Sequence, residues 1–140
     1  MRRLIPVVLL AVLAPATLGA PTADAQTPVR ASPIVRSLAS DLSVVTNFAL
    51  YADAAAVGVT VAQLRAEWQR VAVCEVGGNW AMTGPRYSGI GILNTTWYEY
   101  GGRRFAPLAG DATRDEQIVI GMRVTRDWVP DQDGCSPTGW

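Results

Sequence analysis

The sequence predicts a mainly α-helical domain with one small irregular or β element. Three observations carry that expectation. Apolar residues recur at spacings of three and four along Ile34–Val45, Val61–Ala72 and Ile118–Val124, the period of a helix face. The last two stretches each follow a Thr with Gln or Glu three positions later, as Thr60…Gln63 and Thr113…Glu116. That is the pattern of a capping box, in which side chains satisfy the free N–H groups of a first helical turn. Between these helices Tyr87-Ser88-Gly89-Ile90-Gly91-Ile92 is apolar but interrupted by Gly, which suits an extended or tightly turned segment.

The chain opens with Arg2 and Arg3, followed by an almost unbroken apolar run from Leu4 to Leu18 that contains Pro6 and Pro15. The run is shorter than the ~20 residues that cross a bilayer. Ala23-Asp24-Ala25 then supplies a small-x-small pattern, so residues 1–25 are expected to be a cleaved secretory signal and the chain to be secreted. Leu18-Gly19-Ala20 is a second possible cut site, and an uncleaved anchor is the alternative reading. No cysteine closely follows the run, which argues against a lipid-anchored start, and Arg2-Arg3 lacks the flanks of a twin-arginine signal.

Residues 26–59 read as an N-terminal extension. Gln26 to Pro33 is polar with Pro28 and Pro33, as in a leader. Ile34, Leu38, Leu42 and Val45 share a helical stripe, and Ala52 to Val57 is compatible with its continuation until Gly58. A helix packed on the domain and a loosely ordered spacer both fit this segment. The domain proper is expected over residues 60–140. From Thr60 a helix carries Val61, Leu64, Trp68, Val71 and Ala72 on one stripe and stops at Gly77-Gly78. Asn94-Thr95-Thr96 can cap a short helix through Trp97 and Tyr100, closed by Gly101-Gly102. The helix from Thr113 is expected to reach about Trp128, ahead of a turn-rich tail from Pro130 to Trp140.

Composition removes several chemistries. The chain has no His, so Ser-His-Asp and Cys-His nucleophile systems and His-based zinc sites are excluded. It has no Lys and no Gly-rich phosphate loop of the usual form. Without residues 1–25 it would keep ten Arg against eleven Asp and Glu, a formal charge of −1. That balance suggests neither nucleic acid nor an anionic membrane as a partner. Asp131-Gln132-Asp133-Gly134 resembles the middle of a calcium loop, but Val129 falls at the first ligand position and Trp140 at the twelfth. No metal and no cofactor are expected. Cys74 and Cys135, an even pair in an exported chain, favour one disulfide closing a loop of about sixty residues, worth ~4 kcal/mol in the chain-entropy view. Two free thiols or a metal pair are the alternatives, and two cysteines without His make a poor zinc site.

What remains is carboxylate chemistry, and Glu75 is the candidate. It lies on the last turn of the helix from Thr60, beside Cys74 and just before Gly77-Gly78-Asn79-Trp80. Apolar surroundings would raise its pKa and make it a general acid near neutral pH. The bland reading is a solvated Glu at a helix end. Asn79 is expected to hold the turn through its backbone. Trp80 and Trp97 read first as core, Tyr87 equally as cleft wall or packing, and Asn94 and Thr96 first as helix caps. Arg103 and Arg104 read as solvated.

Taken together, Trp68 to Trp80 with its Cys74-Glu75-Val76-Gly77-Gly78-Asn79-Trp80 run, Tyr87 to Trp97 and Tyr100-Gly101-Gly102 resemble the resuscitation-promoting-factor, or transglycosylase-like, domain of actinobacteria. Ala106-Pro107, Thr113-Arg114-Asp115-Glu116-Gln117-Ile118 and Cys135 continue the pattern, so the resemblance covers about residues 66–136. It implies a compact, mostly helical, lysozyme-like fold and action on peptidoglycan glycan strands, with Glu75 as the catalytic acid and a Cys74–Cys135 disulfide. By position in the family pattern, Thr96 is also a cleft hydrogen-bonder, and Asn94, Tyr87 and Trp80 are the remaining substrate-binding candidates. A cell-wall endopeptidase is a candidate partner. Two departures stand out. Many members read Gly-Leu-Gln where this chain has Ile90-Gly91, so an amide is missing, and the loop from Trp80 to Tyr87 looks shorter.

The target bond would be the β-1,4 linkage from N-acetylmuramic acid to N-acetylglucosamine. Hydrolases commonly use a second carboxylate, and no spacing singles out one of Glu99, Asp111, Asp115 or Glu116. A lytic transglycosylase needs one acid that turns base, and that reading is favoured over a simple muramidase. A wall-binding or signalling module with the same fold and little activity is the alternative from another class.

Overall fold

A computed structural model of the protein describes residues 33–136; the expected signal segment, the polar leader before Pro33 and the last four residues lie outside them. The described chain is mostly helical, with α1 (Pro33–Ala56), α2 (Val61–Val76), a two-stranded antiparallel hairpin of β1 (Tyr87–Ser88) and β2 (Ile92–Leu93), α3 (Asn94–Glu99) and α4 (Arg114–Thr125). Single 3-10 turns cover Gly102–Arg104 and Ala109–Asp111. The hairpin register pairs Tyr87 with Leu93 and Ser88 with Ile92. Among the described residues no single helix is long and apolar enough to cross a membrane.

Both capping boxes form. The Gln63 N–H donates to Thr60 Oγ1 at 3.2 Å while the Thr60 N–H donates to Gln63 Oε1 at 2.9 Å. Thr113 and Glu116 repeat the exchange at 3.3 and 2.8 Å. Gly77 ends α2 in the left-handed region, φ 61°, where its N–H and that of Gly78 reach back to the carbonyls of Val73 and Ala72. The αL cap of α4 comes earlier than the sequence suggests, because Arg126 and Asp127 both take positive φ and the helix stops at Thr125.

Trp68 is the hub of the core. It is fully buried together with Leu64, Val71 and Ala72 of α2 and with Ile118, Ile120 and Met122 of α4. Its indole N–H points at the Met122 sulfur, 3.2 Å away. Ile90 and Ile92 of the hairpin and Trp97 of α3 complete the same cluster, and the Trp97 indole N–H donates to the Ala106 carbonyl at 3.0 Å. Residues 33–56 are helical and pack mainly along α4. The face they bury differs from the apolar stripe seen in the sequence. Thr46, Leu50 and Ala54 face the core, whereas Ile34, Leu38 and Val45 are exposed. Periodicity shows that a helix has an apolar side; which side is covered depends on where α4 lies.

Candidate functional site

Glu75 lies on the last turn of α2, half-buried, one residue before the helix ends. Its α2 stripe, Trp68, Val71 and Ala72, is locked in the core, which fixes the direction of the Glu75 side chain. Across from it stands the hairpin. Gly91 has φ +94°, and a Cβ built on it would lie 3.3 Å from Glu75 Cβ and 3.7 Å from Glu75 Oε2. Any side chain at this position would therefore touch the candidate acid. Burial raises the Glu75 carboxyl above its ordinary pKa, and the negative charge of Asp131 raises it further. Both causes favour the protonated form, as a general acid requires.

The bridge is formed: Cys74 and Cys135 are joined with their Cα atoms 5.1 Å apart, 61 positions apart in sequence. It draws the tail onto the last turn of α2, next to Glu75. Among the described residues no group of His, Cys, Asp and Glu could hold a metal ion.

The other candidate residues have mixed surroundings. Trp80 is buried, its indole N–H donating to Gln69 Oε1 at 2.9 Å with the Arg114 guanidinium 5.5 Å from its ring centre. Asn94 does not cap α3. Leu93 takes the cap position with no side-chain bond, and the Asn94 amide instead donates to the Gly84 carbonyl at 2.9 Å and accepts from Ser88 Oγ at 2.7 Å. It ties the loop before β1 to the start of α3. Thr96 is half-buried on the first turn of α3 and makes no cap bond either. Tyr87 is 43% exposed on β1, with Arg86 stacked 5.3 Å from its ring centre. Asn79 holds its turn by backbone bonds, donating to the Val76 carbonyl and accepting from the Met82 N–H, both at 3.1 Å. Arg103 and Arg104 are exposed, with Arg103 over the Tyr98 ring at 4.8 Å.

Two residues that carry the site had no role in the sequence reading. Gln117 is fully buried: its Oε1 accepts from the Ile90 N–H, and its Nε2 donates to the carbonyls of Trp80 and Ala112, all at 3.1 Å. One amide thus joins the turn after Glu75, the hairpin opposite Glu75 and α4. Its place in the Thr-Arg-x-x-Gln-Ile run was the available signal. Asp131 is the second, set aside in sequence as a poor calcium loop. Of the carboxylates considered there as partners, Asp115 pairs with Arg65 at 2.7 Å, Glu116 caps α4, and Glu99 and Asp111 are exposed.

A mostly helical fold, a carboxyl raised at the end of a core helix and a bridge tying the tail beside it define the class, and the comparisons agree. Residues 62–130 match the family described as a transglycosylase-like domain. More particularly, this region is similar to resuscitation-promoting factors. It is 48% identical over 60 residues to resuscitation-promoting factor RpfA of Mycobacterium tuberculosis, covering 41% of this chain and 15% of that protein. It is 48% identical over 59 residues to Rpf1 of Corynebacterium glutamicum, covering 41% and 31%. With RpfB of Mycolicibacterium smegmatis the identity is 51% over 55 residues, covering 38% and 15%. The match thus spans less than a third of these relatives' own length.

Proposed function

We propose that the protein is a peptidoglycan-cleaving enzyme in which Glu75 is the general acid and then the general base. The observation that carries this reading is a half-buried carboxyl, raised by burial, at the end of α2 in a transglycosylase-like domain. Protonated Glu75 gives its proton to the glycosidic oxygen between N-acetylmuramic acid and N-acetylglucosamine as the C1–O bond breaks. The muramic acid 6-hydroxyl then bonds to the anomeric carbon, and the Glu75 carboxylate takes up the hydroxyl proton. A 1,6-anhydro end results, and the acid is regenerated without water. Tyr87 and Thr96 are the side chains proposed to line the sugar path, with Trp80 and Asn94 supporting the backbone beneath them. Secretion to the cell wall is part of the reading, supported by the signal-like pattern of residues 1–25.

Digestion of purified peptidoglycan with product analysis by mass spectrometry tests it. Wild type is expected to release muropeptides with anhydro ends. Loss of a general acid costs on the order of 10²–10⁴-fold, so Glu75→Gln should release almost none. Equal release by the two proteins would refute the enzymatic reading and leave a wall-binding module. Reducing ends in place of anhydro ends would make the enzyme a hydrolase.

A further inference from the structure

The helix α1 carries apolar side chains on two opposite faces, and the domain covers one of them. Thr46, Leu50 and Ala54 are buried and seat the helix on the core. Turned away from them, Ile34, Leu38, Asp41, Val45, Phe48 and Ala52 are all exposed. These residues recur at alternating spacings of four and three, as the a and d positions of successive heptads do. All but Asp41 are apolar. Ile34 is 73% exposed and Phe48 78%. Val44 and Tyr51, also exposed, widen the apolar face on one side, while half-buried Leu42 and Ala49 border it on the other. The large apolar side chains of this face leave on the order of 800 Å² in water, about one partner's share of a standard interface and more than the ~300–600 Å² of the largest patch on a typical monomer.

We propose that this face of α1 is the seam of a homodimer, in which a second copy of the chain lays its own α1 antiparallel along it. A heptad stripe fits another helix, and the chain supplies one that carries the same stripe. Two copies related by a two-fold axis bury the same patch on both sides, so the interface closes. The direction follows from Asp41. In a parallel pair it would meet the partner's Asp41 inside a drying seam, and like charges placed together there cost several kcal/mol. In an antiparallel pair with its axis level with Ser43, Asp41 lies beside the partner's Val45. Leu38 then lies beside the partner's Phe48, and Ile34 beside the partner's Ala52, so that each a position meets a d position. A lipid surface fits less well. Asp41 stands within the face, and the chain has no Lys to give it the basic rim of a membrane-surface helix. None of these residues belongs to the Glu75 site, so the dimer stands apart from the enzymatic reading.

The test is sedimentation equilibrium of the full chain across a range of concentrations. Wild type is expected to dimerise at micromolar concentration. Phe48→Asp should weaken association on the order of a hundredfold or more, because each dimer holds that layer twice. Phe48 is exposed, so the variant should melt as wild type does. Asp41→Leu removes the polar break in the seam and should tighten association about tenfold or more. Cross-linking on mild oxidation reads the direction. Asp41→Cys and Val45→Cys proteins, mixed in equal parts with the native bridge intact, should give cross-linked dimers of one variant with the other, and neither variant should cross-link to itself. A variant that cross-links to itself overturns the antiparallel seam. A wild type that stays monomeric at every concentration, or a Phe48→Asp protein that associates as tightly as wild type, overturns the dimer. Monomeric wild type that binds phosphatidylglycerol vesicles, with binding lost in Phe48→Asp, would overturn it by giving the face to lipid.

Discussion

Gly91 meets Glu75 across the site, with room for a Cβ only 3.3 Å from Glu75 Cβ. Its φ of +94° is one that side-chain-bearing residues rarely adopt. Placing the amide that the sequence resemblance leads one to expect is therefore not a simple substitution. Gly91→Gln and Gly91→Ala are expected to lose about 1–2 kcal/mol of stability from the backbone alone. They should also slow muropeptide release on the order of tenfold or more, because the hairpin must shift away from the acid. Thermal melts and digestion rates check both. A Gly91→Gln protein more active than wild type would show that the hairpin relaxes freely and that the amide is missing rather than replaced.

Opening the Cys74–Cys135 bridge releases a 61-position loop. The chain-entropy estimate for a loop of that size is about 4 kcal/mol, and measured losses run from about 2 to 5. The Cys74→Ser/Cys135→Ser variant should melt well below wild type in denaturant. An unchanged midpoint would mean that the tail is held by its packing, chiefly buried Val129 and Asp131, without need of the bridge.

Gln117 offers the strongest test of how the two sides of the site are held together. Gln117→Leu keeps much of the volume but leaves the Ile90 N–H and the Trp80 carbonyl without their partner. Buried unsatisfied groups cost about 1–3 kcal/mol each. A loss of about 2–4 kcal/mol is expected, with protection from hydrogen exchange lost first at the Ile90 amide. Hydrogen exchange followed residue by residue reads this directly. Full protection at Ile90 in the variant would argue against the bracing role.

Stability should also respond to pH through a carboxyl of α1. Asp53 of α1 is raised from 3.8 to about 6, first by burial and then by Asp127, with Arg123 acting the other way. The folded state binds this proton more tightly than the unfolded chain. Its contribution is therefore fully present below pH 3.8 and is lost as pH rises through about 6. Asp53 is only half-buried, so the shift is discounted for solvent screening. Asp53→Asn should then stabilise the protein at pH 7 by on the order of 1 kcal/mol and by nothing measurable near pH 3.5. Parallel melts of variant and wild type across that window test the sign, and a constant difference at all pH values would contradict it.

Much of the helical frame was readable from local chemistry. Thr60 and Thr113 cap where the Thr-x-x-Gln and Thr-x-x-Glu patterns put them, and Gly77 stops α2 because its left-handed backbone closes the last turn. These features depend on residues within one helical turn of each other, so sequence neighbours suffice to specify them. The same holds for Glu75, whose place at a helix end follows from that stop. Local pattern misled where partners lie elsewhere. Asn94 looked like a cap, but its amide is taken by Gly84 and Ser88, residues brought to it by the hairpin.

The sequence by itself determined α2 and α4, their N-caps, the hairpin segment and the place of Glu75, the proposed acid, at a helix end. Only the tertiary structure decided what surrounds that carboxylate. Gly91 approaches Glu75 across the chain, Gln117 bridges three segments, and Asp131 is carried to the end of α2 by the bridge from Cys74 to Cys135. It also decided that α1 buries Thr46, Leu50 and Ala54 rather than its more apolar stripe. The reason is physical: a side chain's periodicity is set by its own backbone, whereas its burial, its hydrogen-bond partners and the charge on its neighbours come from residues that are distant in sequence and meet only when the helices pack.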